Sequence, residues 1–137
     1  GLHNRASFHE QLELAINYAA RQQHNLSLLY LDLDNFKLIN DGSGHLVGDL
    51  LLKHVAQRLK HIVRDEDSIA RIGGDEFVVV TLKGRGGEFI EQVANLLHGE
   101  NIHFSYGVTP ATRETFQQAL VVSDKAMYTM KKAKYSH

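Results

Sequence analysis

The chain has 137 residues, 43% hydrophobic and 23% charged, which suits one globular domain with one core. Its 15 Lys and Arg against 16 Asp and Glu leave a net charge of −1, which argues against a general nucleic-acid binder or direct contact with an anionic membrane. It has no cysteine, which excludes disulfides and thiolate metal sites, and no apolar run of membrane-spanning length.

A chain that opens on Gly1 rather than Met is expected to be a piece of a longer protein. Residues 5 to 22 place Phe8, Leu12, Ala15, Ile16 and Ala19 on one helical face, with Asn4 or Ser7 to cap it. Leu26 to Leu33 is a nearly continuous apolar run, the pattern of a central strand buried on both faces. It ends in Asp32-Leu33-Asp34. Two aspartates two apart on a strand face the same way, and buried unpaired carboxylates are costly, so the strand should end at a surface, a cation or a site.

Residues 35 to 49 are polar and rich in glycine. They predict one helical turn over Phe36 to Asn40 and a loop over Asp41 to Gly44. From Val47 to Val63 the stripe Leu51, Leu52, Val55, Ala56, Leu59, Ile62 and Val63 predicts a helix. Arg64 to Asp67 is a charged connection. Ser68 to Ile72 and Phe77 to Leu82 read as two strands joined at Gly73-Gly74, a pair expected to supply positive φ in a tight turn. Asp75 and Glu76 sit at that turn. Alternation along the strand lets only one of them aim at a given site.

Lys83 to Gly87 is expected to be a loop, Glu88 to His98 a helix, and Ile102 to Val108 a short strand interrupted at Gly107, with Pro110 in the following turn. Thr112 or Thr115 would cap a last helix whose apolar residues are Phe116, Ala119, Leu120, Val122 (or Val121), Ala126, Met127 and Met130. It ends in the basic tail Lys131 to Lys134. The 9 histidines show no zinc spacing.

This order predicts an α+β fold: a ferredoxin-like βαββαβ core with additional N- and C-terminal helices, an antiparallel central sheet and helices on one face. The plan serves RNA-binding modules, small-molecule sensors and the palms of nucleotide cyclases and polymerases, so it does not define function by itself. Its first and third strands lie side by side, which lets Asp32 converge with Asp75 and Glu76. Such oxygen ligands suit Mg²⁺ or Mn²⁺ bridging phosphates, and two such ions clamp an in-line displacement at phosphorus. Lys37 and Lys131 are candidate phosphate partners. Taken singly, each acid reads as a solvated turn residue and each lysine as a surface residue. A carboxylate such as Asp49 matches the N–H edge of guanine, and Asn40 offers both donor and acceptor. Alone, Asn40 reads as a turn residue and Asp49 as a helix cap.

Together these blocks resemble the GGDEF family of diguanylate cyclases, which condense two GTP into cyclic di-GMP. The match is Arg71 followed by Gly73-Gly74-Asp75-Glu76-Phe77, with Asp32-Leu33-Asp34-Asn35-Phe36-Lys37-Leu38-Ile39-Asn40-Asp41, Gly44-His45 and Gly48-Asp49. Gly1-Leu2-His3-Asn4-Arg5, Ser105-Tyr106-Gly107-Val108 and Asp124-Lys125-Ala126-Met127-Tyr128 extend it over essentially the whole chain. The resemblance implies that Asp32, the Leu33 carbonyl, Asp75 and Glu76 hold two Mg²⁺ or Mn²⁺ ions per GTP. It implies that Asp75 helps deprotonate the attacking 3′-hydroxyl. Asn40 and Asp49 would read guanine, and Gly73 and Gly74 would bed the nucleotide beside Arg71. Phe36, Lys37 and Lys131 would approach the phosphates. It also implies a homodimer, because each domain binds one GTP and each 3′-hydroxyl attacks the other's α-phosphorus, and a cytoplasmic domain.

Arg64 and Asp67 stand at the offset of the family's product-inhibition site, where a guanidinium and a carboxylate can grip cyclic di-GMP. The plain alternative is a helix-end salt bridge. The chain also departs from the family. The arginine expected after the Lys131 position falls at Tyr135, leaving Lys134 to stand in, and Ser43 replaces an aromatic. The segment from Leu82 to His103 is short, and the acidic residue and threonine usual before Gly1 are missing. An inactive GTP- or cyclic di-GMP-binding regulatory domain is the second reading. An RNA-recognition module is the third, and Val78, Val79 and Val80 are not the stacking aromatics it needs.

Overall fold

The computed structural model describes residues 5–22, 25–65, 67–82 and 85–135, without the side chains of Arg5, Ala6, Phe8 and Tyr135. The opening block Gly1 to Asn4, Phe8 as a core residue, Glu66, the Lys83-Gly84 loop and the Tyr135 side chain therefore lie outside the described residues. The elements are α1 (Arg5–Gln22), β1 (Leu26–Leu33), α2 (Phe36–Ser43), α3 (His45–Ile62), β2 (Ser68–Arg71), β3 (Glu76–Leu82), α4 (Gly86–Gly99), β4 (Phe104–Ala111) and α5 (Phe116–Tyr135).

The strands form one four-stranded antiparallel sheet in the order β2-β3-β1-β4. This is the split βαβ arrangement expected, with β1 and β3 central. Every residue of β1 is buried. Leu29, Leu31 and Leu33 pack with Leu52, Val55 and Leu59 of α3 and Phe89, Val93 and Leu97 of α4. On the other face Leu28, Tyr30, Val78 and Val80 pack with Leu12, Ile16 and Ala19 of α1 and Ala119 and Met127 of α5. The sheet is thus covered on both faces, where the core plan alone predicted one. The terminal helices supply the second layer, and this is why β1 reads as a nearly continuous apolar run.

Several local expectations are corrected. Asp41 to Ser43 are helical rather than loop, and the joint between α2 and α3 shrinks to Gly44 at φ 93. That left-handed value turns the chain directly from one helix into the next. Gly86 and Gly87 belong to α4. Pro110 lies inside β4, opposite Ser27. An edge strand tolerates a proline because one side of it carries no ladder. Neither Gly73 nor Gly74 has positive φ. The link from β2 to β3 spans Ile72 to Asp75, closed by Ile72 N–H on the Glu76 carbonyl at 3.1 Å, so no two-residue turn is needed. In α5, Ser123 faces the sheet, while Val121, Val122 and Ala126 are exposed. Its hydroxyl donates to the Leu28 carbonyl at 3.3 Å and to Thr109 Oγ1 at 2.6 Å, which satisfies it inside the core. Among the described residues, no helix is long and apolar enough to cross a membrane.

Candidate active site

Register brings the acids together. Asp32, the penultimate residue of β1, stands directly opposite Glu76 of β3 and Ser105 of β4. Leu33 N–H donates to the Asp75 carbonyl at 3.3 Å, which places Asp75 beside the end of β1. The Asp32 carboxyl is pushed up to about 7, first by burial, then by the Asp75 carboxyl beside it, against the opposing pull of Lys131. Lys131 Nζ donates to Asp32 Oδ2 at 2.7 Å and to the Leu33 carbonyl at 3.2 Å. Asp32 Oδ1 is buried with no hydrogen-bond donor.

Two carboxyls facing each other with an oxygen left over are a donor set short of a positive charge, so the residues present fit a divalent cation. Among the described residues, however, no group of three or more acids or histidines is already arranged around an ion. Glu76 lies on the same side of the sheet as Asp32 and Tyr30, and the Tyr30 hydroxyl donates to Glu76 Oε2 at 2.9 Å. Tyr30 was not singled out from sequence. Its one signal is an aromatic hydroxyl in the middle of a mostly aliphatic run.

Asp34 is spent differently. Ser105 Oγ donates to its Oδ1 at 2.7 Å, and Lys134 Nζ to its Oδ2 at 2.6 Å. Lys134 Nζ also donates to the Phe104 carbonyl at 2.7 Å. Lys134 therefore ties α5 to the sheet edge rather than standing ready for a phosphate.

The glycine turn is braced from β2. Arg71 Nε donates to the carbonyls of Gly73 and Gly74 at 3.3 and 3.1 Å, so Arg71 holds the turn itself. A Cβ on Gly73 would stand 3.1 Å from Glu76 Oε2, whereas one on Gly74 would meet open space. Gly74 thus faces room for a ligand.

The nucleoside side is built by α2 against α3. A Cβ on Gly48 would overlap Asn40 Oδ1 and approach Phe36 Cζ to 3.2 Å, so Gly48 lets the two helices close. Asn40 Nδ2 bonds His45 Nδ1 at 2.7 Å, and Asp49 is exposed one residue beyond Gly48. Lys37 is exposed at the start of α2, and Phe36 packs on the α3 side of the core.

Asp67 is a correction. Its side chain is fully buried. Oδ2 accepts the Arg64 backbone N–H at 3.0 Å and pairs with the Arg85 guanidinium, and Oδ1 accepts Leu82 N–H at 3.2 Å. A carboxylate committed in this way inside the fold is not presented to guanine. Arg64 is exposed, with its guanidinium 3.9 Å from Glu88. Arg85 was missed because it sits in a glycine-rich stretch that reads as loop.

An antiparallel sheet of this order, with carboxyls at the end of its central strand beside an open glycine turn, is the palm-like fold that nucleotide cyclases share. The chain belongs to the GGDEF family: the family model described as "Diguanylate cyclase, GGDEF domain" matches residues 1–137. It is 38% identical to the bifunctional diguanylate cyclase/cyclic di-GMP phosphodiesterase MucR of Pseudomonas aeruginosa, over 95% of this chain and 21% of that protein. It is 36% identical to the diguanylate cyclase DgcP of Escherichia coli, over 98% of this chain and 43% of that protein. The chain therefore spans less than half the length of either relative. A sensory box/GGDEF family protein of Caulobacter crescentus superposes with TM-score 0.85 at 32% identity, covering 97% of this chain and 95% of that one.

Proposed function

We propose that the chain is the catalytic domain of a diguanylate cyclase, converting two GTP into cyclic di-GMP and two pyrophosphates. The observation that carries this is the Asp32–Asp75 pair, with Asp32 Oδ1 buried and lacking a donor beside the open face of Gly74. Asp32, the Leu33 carbonyl, Asp75 and, once released from Tyr30, Glu76 would hold two Mg²⁺ or Mn²⁺ ions. Such ions neutralise developing charge on the α-phosphate and acidify the 3′-hydroxyl.

The chain's own groups do the rest. Asp49 accepts the guanine N1–H and amino group, and Asn40 pairs with the rest of that edge. Phe36, Lys37 and Lys131 meet the phosphates, and Arg71 keeps the glycine turn flat beneath them. Asp75 takes the proton from the 3′-oxygen as that oxygen bonds the α-phosphorus of the GTP held by a second domain, and the bond to pyrophosphate breaks. Repetition in the other direction closes the ring, so a homodimer is part of the reaction. Of the pair expected to sense the product, Arg64 alone is exposed to meet it. The domain would work in the cytoplasm within a longer protein.

The test is purified protein at rising concentration with GTP and Mg²⁺, followed by chromatography for cyclic di-GMP. Product is expected. Folded, GTP-binding protein that makes none at any concentration would be a regulatory module instead.

A further inference from the structure

We infer that Lys131 is a resident cation that closes the metal site until nucleotide arrives, so that divalent ion and nucleotide load together. This rests on the reading that Asp32 and Asp75 hold metal.

Two lysines on the last turns of α5 grip two aspartates at the end of β1, and the two grips differ. Around Asp34 every acceptor is used: Ser105 on Oδ1, Lys134 on Oδ2, and the Phe104 carbonyl on Lys134 as well. That pair is a lock. Around Asp32 the pairing is incomplete. Lys131 covers Oδ2 and the Leu33 carbonyl at 2.7 and 3.2 Å, while Oδ1 has no donor. The Lys131 ammonium thus sits on two of the oxygens a hard divalent ion would share.

Lys131 and a metal ion compete for the same oxygens. The competition is electrostatic and short-range, because the Asp32 side chain is only 10% exposed. Lys134 keeps the end of α5 in place, so only the flexible four-carbon stem of Lys131 needs to swing. A triphosphate offers that ammonium an alternative anionic partner. Nucleotide binding then moves Lys131 off the acceptors at the moment the ion reaches them.

The experiment measures Mn²⁺ binding to nucleotide-free protein from the paramagnetic resonance signal of the free ion, with no turnover involved. Lys131→Met is expected to bind Mn²⁺ about ten-fold more tightly than wild type. Lys134→Met, which removes an equal charge from Asp34, should bind as wild type does. Lys131→Gln is the second variant should the first not fold. In wild type, a non-hydrolysable GTP analogue should raise Mn²⁺ affinity, and Asp32→Asn should abolish that gain.

Equal affinities in Lys131→Met and wild type, or equal gains in both lysine variants, would overturn the exchange while the analogue arm still shows the site to be a metal site. Loss of the analogue effect together with no Asp32 dependence would overturn the metal site itself, and the exchange with it.

Discussion

Asp32, Asp34 and Asp67 are three aspartates at strand ends, and each has a different partner. Asp34 and Asp67 are fully paired and structural, whereas Asp32 keeps an oxygen in reserve. The raised Asp32 value has a stability consequence. The ordinary carboxylate value is 3.8 and the folded one about 7, so between them the folded protein holds a proton that the unfolded chain has released. The associated stability is full below the lower value and lost as pH rises through the upper one. In chelator, thermal unfolding of wild type should therefore shift downward across that window, and Asp32→Asn should flatten the slope; parallel slopes would refute the assignment. For Asp67, removing one member of a buried pair strands the other charge. Asp67→Ala should cost about 3–5 kcal/mol in denaturant unfolding. A loss below about 1 kcal/mol would return Asp67 to the surface role expected from its spacing.

Among the elements, two glycines decide how closely helices approach. Gly48 admits Asn40 and Phe36 of α2 onto α3, and Gly107 admits the Ser123 carbonyl of α5 onto β4. On the proposed function, Gly48→Ala should displace Asn40 and raise the KM for GTP several-fold with a smaller change in kcat, since the residue proposed to read guanine would move and the acids would not. Steady-state kinetics separate the two. Gly107→Ala meets backbone rather than a flexible side-chain end, so about 1–3 kcal/mol of destabilisation is expected from thermal melts. These helices were legible from apolar spacing, but their ends were not. α2 runs on to Ser43 through Asp41 and Gly42, residues that read as loop because their own propensity is poor. Packing against α3 overrides that preference.

At the scale of the whole molecule, the end of β1 meets the glycine turn through the Leu33 N–H on the Asp75 carbonyl and runs directly into α2, so the candidate site lies at that end of the sheet. On the proposed reaction, a single domain would bind one GTP there and could not supply the second. Turnover per domain should thus rise with protein concentration and level off once encounters saturate, and dilution series of initial rates would show it. A rate per domain independent of concentration would mean a preformed dimer or a different reaction.

The order of elements, the doubly buried β1 and the acids at Asp32, Asp75 and Glu76 follow from sequence, because burial and alternation are written in residue type. The family motif was equally legible. The tertiary structure decided which oxygens are spent. Tyr30 takes Glu76, Arg85 takes Asp67, and Lys131 and Lys134 part at Asp32 and Asp34. These pairs join residues up to 100 positions apart, and no local pattern encodes a contact made only when a helix closes over a sheet.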